Sequence, residues 1–283
     1  DEDSFALTVT PVNDAPTIEL PDGFTFAEDD SLVQDFTTYI GDIDGDPLIL
    51  TASGNIDITV GIEGYVVTFG AIQDSNGTEV ITFTIDDSQG RLVASDEISI
   101  TVTPVNDAPI LTVPVAQSTN EDTALTITLT SFDVENDDLT YSAVSDNENV
   151  SVSVSGDQLT MTPTSNYNGP ANITVTVSDL FLTDEDSFAL TVTPVNDAPT
   201  IVLPESFTFT EDGSAVEGFA GYIDDIDEDA LTLTVSGNEN VTVSIVEFEV
   251  TFGSVQDWNG SETLTFTVED DSSGTASDTV SVI

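Results

Sequence analysis

Carboxylates are the groups in this sequence numerous and regular enough to do chemistry: 54 residues are Asp or Glu. They recur in four kinds of cluster. An Asn-Asp pair stands between prolines at Asn13-Asp14, Asn106-Asp107 and Asn196-Asp197. A Glu-Asp pair follows 14 residues after each of those aspartates, at Glu28-Asp29, Glu121-Asp122 and Glu211-Asp212. Alternating acids come 26 to 28 residues after it: Asp42-x-Asp44-x-Asp46, Asp133-x-Glu135-x-Asp137 and Asp225-x-Asp227-x-Asp229. A last acid closes a strand-like run 18 to 20 residues before the next linker Asp, at Asp87 and Asp179, with Asp270 in the equivalent place. Alternating carboxylates on an extended or turning backbone project to one side. They can converge on one hard cation, chiefly Ca²⁺, whose charge offsets their mutual repulsion. Acids that only solvate loop ends need no fixed spacing, and these keep theirs.

Absences remove most other chemistry. The chain has no Cys, His or Lys and a single basic residue, Arg91, giving a net charge of −53. Disulfides, thiolate and imidazole metal sites, Ser-His-Asp triads, Schiff bases and Walker lysines are therefore excluded. One Arg cannot track a phosphate backbone, so nucleic acid is excluded as a partner. No apolar run approaches the ~18 residues of a membrane span, so no membrane insertion is expected. No signal peptide is visible. Paired carboxylates could in principle hydrolyse glycosides. Identical pairs repeated along the chain without an evident cleft argue against an enzyme.

The elements that must position these acids are organised by repeats. VNDAP occurs at Val12–Pro16, Val105–Pro109 and Val195–Pro199. The chain thus reads as the last strand and linker of a preceding repeat (residues 1–16), then units at 17–109, 110–199 and 200–283, the last truncated in its final strand. Asp1–Thr17 recurs unchanged at Asp184–Thr200, and the match continues at that offset to Asp87 and Asp270. The first and third units are one subtype and the second another, which suggests a segment of a longer array. Apolar residues alternate with Thr and Ser in short runs: Phe5, Leu7 and Val9; Ile81, Phe83 and Ile85; Ile173, Val175 and Val177; Leu264, Phe266 and Val268. This is the period of half-buried strands. Asn-Gly pairs at 76–77, 168–169 and 259–260 are expected to mark tight turns. The fold expected is all-β, with one sandwich per unit and TPVNDAP as a stiff linker outside the strands. Trp258, in a turn, either caps a sandwich end or stacks on a sugar ring.

The ordered motifs EDxxL, DxDGD, xNG before a strand, and VTPVNDAP resemble the cadherin-like tandem repeats of giant bacterial surface adhesins, and more distantly animal cadherins. The resemblance covers essentially the whole chain. It implies Ig-like, Greek-key β-sandwiches in an elongated rod, with Ca²⁺ held at each junction by acids of both domains and the linker. Carried over by position, Glu28, Asn106 and Asp107 would serve the junction of the first and second units from above, and Asp133, Glu135 and Asp179 from below. Asp74 would add a further acid. The next junction would use Glu121, Asn196, Asp197, Asp225, Asp227 and Asp270, with neutral Asn166 and Asn168 in the region of Asp74. The first linker retains Asn13, Asp14, Asp42, Asp44 and Asp87. The implied role is a calcium-stiffened stalk of a secreted or surface-attached adhesin, whose partners are neighbouring repeats. Two alternatives stay open: a calcium-dependent module binding a glycan or surface receptor, and a self-assembling extracellular filament.

Overall fold

A computed structural model describes residues 3–89 and 93–283; Arg91 lies outside them. Among the described residues the regular structure is β apart from two single 3₁₀ turns, Phe36–Thr38 and Phe219–Gly221, which the apolar periodicity does not announce. Each turn drives a phenylalanine into the core, Phe36 and Phe219 both being fully buried. Among the described residues no helix is long and apolar enough to cross a membrane.

In the first sandwich one sheet runs in the order Gly23–Ala27, Val93–Thr103, Gly77–Asp86, Ile49–Ser53, and the facing sheet Ser31–Asp35, Val66–Ala71, Ile58–Glu63. The pairing of Gly23–Ala27 with Val93–Thr103 is parallel; its neighbours in both sheets are antiparallel. The middle and third sandwiches repeat this order of four and three strands. Antiparallel strands with one face buried need alternation, and the sequence supplies it. Ile81, Phe83 and Ile85 are fully buried, while Thr82 and Thr84 between them are not. Phenylalanines fill the first core, with ring centroids of Phe36 and Phe83 4.9 Å apart. They fill the third likewise, with Phe219 and Phe266 4.6 Å apart. Leu159, Met161, Ile173, Val175 and Leu190 give the middle sandwich a largely aliphatic core.

Contact density divides the chain into two compact units. One holds Asp1–Ile110 with Ser131–Leu139 and Val177–Asp184, that is, the first sandwich, the second linker and two loops of the middle sandwich. The other holds Leu111–Thr130, Thr140–Thr176 and Glu185–Ile283.

Two expectations need correction. Ser4–Thr10 is not a strand, and Phe5, Leu7 and Val9 are 89%, 81% and 83% exposed. No described strand pairs with it, and a lone extended segment cannot satisfy its backbone or bury its apolar face. The Asn-Gly pairs are not the turns either. The reversal comes just before, where Asp74, Asn166 and Asp257 adopt left-handed backbone at φ 56°, 57° and 59°. It is closed by Ser75, Tyr167 and Trp258 donating to Ile72, Thr164 and Val255. Asp and Asn tolerate that conformation better than other side chains. Trp258 packs against the third core as a cap.

Candidate metal centres

At the first linker, Pro11 and Pro16 flank an irregular segment that pairs in no sheet. Asn13 Nδ2 donates to Asp87 Oδ2 at 2.8 Å, and the Asp14 backbone donates to Asp44 Oδ2 at 2.8 Å. The loop 42–46 is wound around one carboxylate: the amides of Asp44 and Asp46 both donate to Asp42 Oδ1, at 2.9 and 3.1 Å. This leaves Asp42 Oδ2 buried without a donor. One oxygen each of Asp42, Asp44 and Asp46 can lie within 4.8 Å of one another. Asp46 belongs to the set although the family resemblance did not bring it in; its place as third acid of the alternating run was the available signal.

The second linker carries the fullest constellation, all of it within the first compact unit. Glu28 is 2% exposed; its Oε1 accepts from Val105 N at 2.7 Å and its Oε2 from Asn76 Nδ2 at 3.5 Å. Asn106 Nδ2 donates to Asp179 Oδ2 at 2.7 Å, and Asp107 N to Glu135 Oε2 at 3.3 Å. Asp179 Oδ1 accepts from Phe181 and Leu182, at 2.6 Å each. Asp137 N donates to Asp133 Oδ1 at 3.0 Å. Asp107 Oδ2, Asp133 Oδ2 and Glu135 Oε1 are buried with no partner. Burial, followed by the charges of Asp74, Asp29, Glu135 and Glu28, pushes the Asp107 pKa up, so Asp74 acts on this cluster. Asp179 is pulled the other way, first by the Leu182 amide and also by Asn106.

The third linker repeats the plan inside the second unit. Val195 N donates to Glu121 Oε1, Asn196 Nδ2 to Asp270 Oδ2 at 3.0 Å, and Asp197 N to Asp227 Oδ2 at 2.7 Å. The amides of Asp227 and Asp229 both donate to Asp225 Oδ1 at 3.1 Å, and Asp225, Asp227 and Asp229 again converge within 4.8 Å. Asp197 Oδ2 and Asp225 Oδ2 are buried without donors. Burial and then Asp227, Asp122, Glu121 and Asp225 raise the Asp197 pKa.

Among the described residues the buried charged side chains are Glu28, Asp87, Glu121, Asp133, Asp179 and Asp270, and all of them belong to the expected ligand set. Buried charges are paired or bind metals, and a chain with one basic residue cannot pair them. Oxygen donors in such number fit a hard divalent cation of the calcium type, which takes 6–8 oxygens.

The profile of the bacterial Ig domain matches residues 13–103, 106–193 and 196–283. No curated protein matches the chain significantly in sequence. Among solved structures, PcdhgB3 EC1-4 aligns over 96% of this chain and 76% of its own at 13% identity, TM-score 0.56. The protocadherin gamma B2 cadherin domains 1–5 align over 95% of this chain at 14% identity, TM-score 0.54, and the chain spans 60% of that protein. The endo-fucoidan hydrolase MfFcnA4 of glycoside hydrolase family 107 aligns at 19% identity, TM-score 0.31, over 96% of this chain, which spans 44% of it. The two protocadherin likenesses bear on the sandwich fold alone.

Proposed function

Since the chain belongs to the bacterial Ig domain family, as tandem copies of it, we propose that it is a calcium-stiffened stalk of a secreted or surface-attached bacterial adhesin, without enzymatic activity. The observation that carries this is the set of buried carboxylate oxygens without partners, repeated at each linker in a chain unable to neutralise them with base. At the second linker Glu28, Asp74, Asn106, Asp107, Asp133, Glu135 and Asp179 would hold the cation. At the third, Glu121, Asn196, Asp197, Asp225, Asp227, Asp229 and Asp270 would do so. Bound there, the ion would supply positive charge and a connection between the linker and the sandwich loops that a polypeptide hinge alone lacks. Buried apolar residues fill each sandwich, so the cation would act at the linkers rather than within the cores.

Affinity should resemble that of extracellular modules, on the order of 10⁻⁴ to 10⁻³ M. Calcium should then raise the unfolding temperature; each site saturated about 100-fold above its dissociation constant adds about 2.7 kcal/mol. Small-angle scattering should show a narrower range of shapes with calcium than with chelator. Identical melting curves in the two conditions would refute cation binding, and identical scattering would refute stiffening.

A second reading, a binding module, is favoured by one feature. Leu180 and Phe181 at the tip of a middle-sandwich loop are 74% and 81% exposed, where the third sandwich has Asp271 and Ser272. A glycan and protein array probed with and without calcium separates the two readings.

A further inference from the structure

Asn168 stands just before the strand Gly169–Ser178 and, with Asn166, lines a cleft of about 520 Å³ together with Asn196, Asp227 and Asp229 of the third linker site. The glycine has a structural reason. Its φ is +143°, and a Cβ there would lie 2.8 Å from the Tyr167 hydroxyl. The asparagine has none: its side chain is exposed and its amide makes no hydrogen bond. Other asparagines nearby are held or shielded. Asn76, in the matching place of the first sandwich, donates to Glu28. Asn147 donates to the Tyr167 hydroxyl and to Pro170 O. Asn166 precedes a tyrosine, whose backbone nitrogen is engaged in donating to Thr164 O.

We propose that Asn168-Gly169 is a self-modification site, where spontaneous deamidation adds a carboxylate to the third linker site. The Gly169 backbone nitrogen loses its proton and attacks Asn168 Cγ. A C–N bond forms, and the side-chain nitrogen leaves as ammonia, closing a succinimide. Water then adds to either ring carbonyl and breaks one C–N bond, leaving an aspartyl or isoaspartyl residue. One water is consumed and one ammonia released, with no oxidant, reductant or catalyst. Glycine favours the attack because no side chain crowds the nucleophile.

The consequence rests on the calcium reading. The second linker site already has Asp74, whose charge reaches Asp107. The third has neutral Asn166 and Asn168 in that region, so a new carboxylate adds a charge and an oxygen donor in place of a neutral amide. Affinity in such sites follows ligand charge. Conversion should therefore tighten the third linker site with age and bring it toward the second.

The test ages the whole chain in chelator at mildly alkaline pH and maps amide-to-acid conversion by peptide mass spectrometry, with isoaspartate resolved chromatographically. Conversion at Asn168 should outrun that at Asn76 several-fold and vanish in Asn168→Gln. Separately, Asn168→Asp should lower the calcium concentration needed for half-maximal thermal stabilisation several-fold, while Asn259→Asp, outside the cleft, should not. Equal rates at Asn168 and Asn76, or an unchanged calcium midpoint in Asn168→Asp while the parent chain responds to calcium, would overturn the proposal. A parent chain indifferent to calcium would instead overturn the cation reading and this consequence with it, while the mapping would still report on the modification.

Discussion

Asp107 sits half-buried with one carboxylate oxygen beyond reach of any donor, and burial and then its acidic neighbours raise its pKa. The unfolded chain therefore ionises this group first. As pH climbs past the ordinary aspartate value of 3.8, the fold loses stability until the raised pKa is passed. Asp87 and Asp270 have the opposite sign, held down first by the Asn13 and Asn196 side chains. Their contribution is present above the ordinary value and lost as pH falls through the lowered one. Asp107→Asn should thus raise the melting temperature in chelator at neutral pH, yet reduce the gain from calcium; differential scanning calorimetry in both conditions checks the pair of signs. Glu79 does a different job, which its position in the sequence does not reveal. Its carboxylate accepts from the backbones of Ile56, Asp57 and Ile58 at 3.0, 2.7 and 3.4 Å, and Glu262 treats Glu239, Asn240 and Val241 alike. Replacing it with Gln weakens charge-assisted bonds, and Glu79→Gln should cost about 1–2 kcal/mol in chemical denaturation, independently of calcium.

At the scale of the element, one 17-residue string occurs twice with two outcomes. Thr183–Thr193 is a strand in the middle sandwich, with Phe188, Leu190 and Val192 buried at 5%, 0% and 2% exposure. Ser4–Thr10 has the same residues as Ser187–Thr193 and no strand. Parallel pairing with Gln117–Asn120 is available to the second copy, and no described strand pairs with the first. Phe188→Ala should therefore cost about 3–5 kcal/mol, the range for emptying a core aromatic. Phe5→Ala should leave denaturant midpoints within error, since its ring is 89% exposed. Comparable losses from both would mean that the first copy is packed in solution.

For the whole molecule, a charge of −53 is a persistent cost of folding because compaction brings like charges closer. Salt shortens the reach of that repulsion from about 10 Å at 0.1 M to about 3 Å at 1 M. In chelator, sodium chloride should raise the unfolding temperature steeply. With calcium bound at the linkers the slope should be shallower, because the most crowded carboxylates are already neutralised. A temperature flat in salt would mean the acids are too dispersed to repel.

The repeat period, the strand character and the acid clusters were legible in the sequence. Alternation of Thr with Ile, Val and Phe is a local pattern, and a two-residue period permits one buried face in any context. The carboxylates of Asp42, Asp133 and Asp225 were legible for the same reason, since their loops close on their own backbones within four residues. Tertiary structure decided what depends on distant partners. It buried Glu28 beneath Val105, 77 residues away, and joined Asn106 to Asp179 across 73. It also moved the reversal from Asn-Gly to Asp74 and Asn166, because Gly77 and Gly169 are taken up as the first residues of strands. Identical residues at Ser4–Thr10 and Ser187–Thr193 show where the limit lies: a chain segment encodes a capacity to pair, and only a neighbouring strand with free backbone groups turns that capacity into structure.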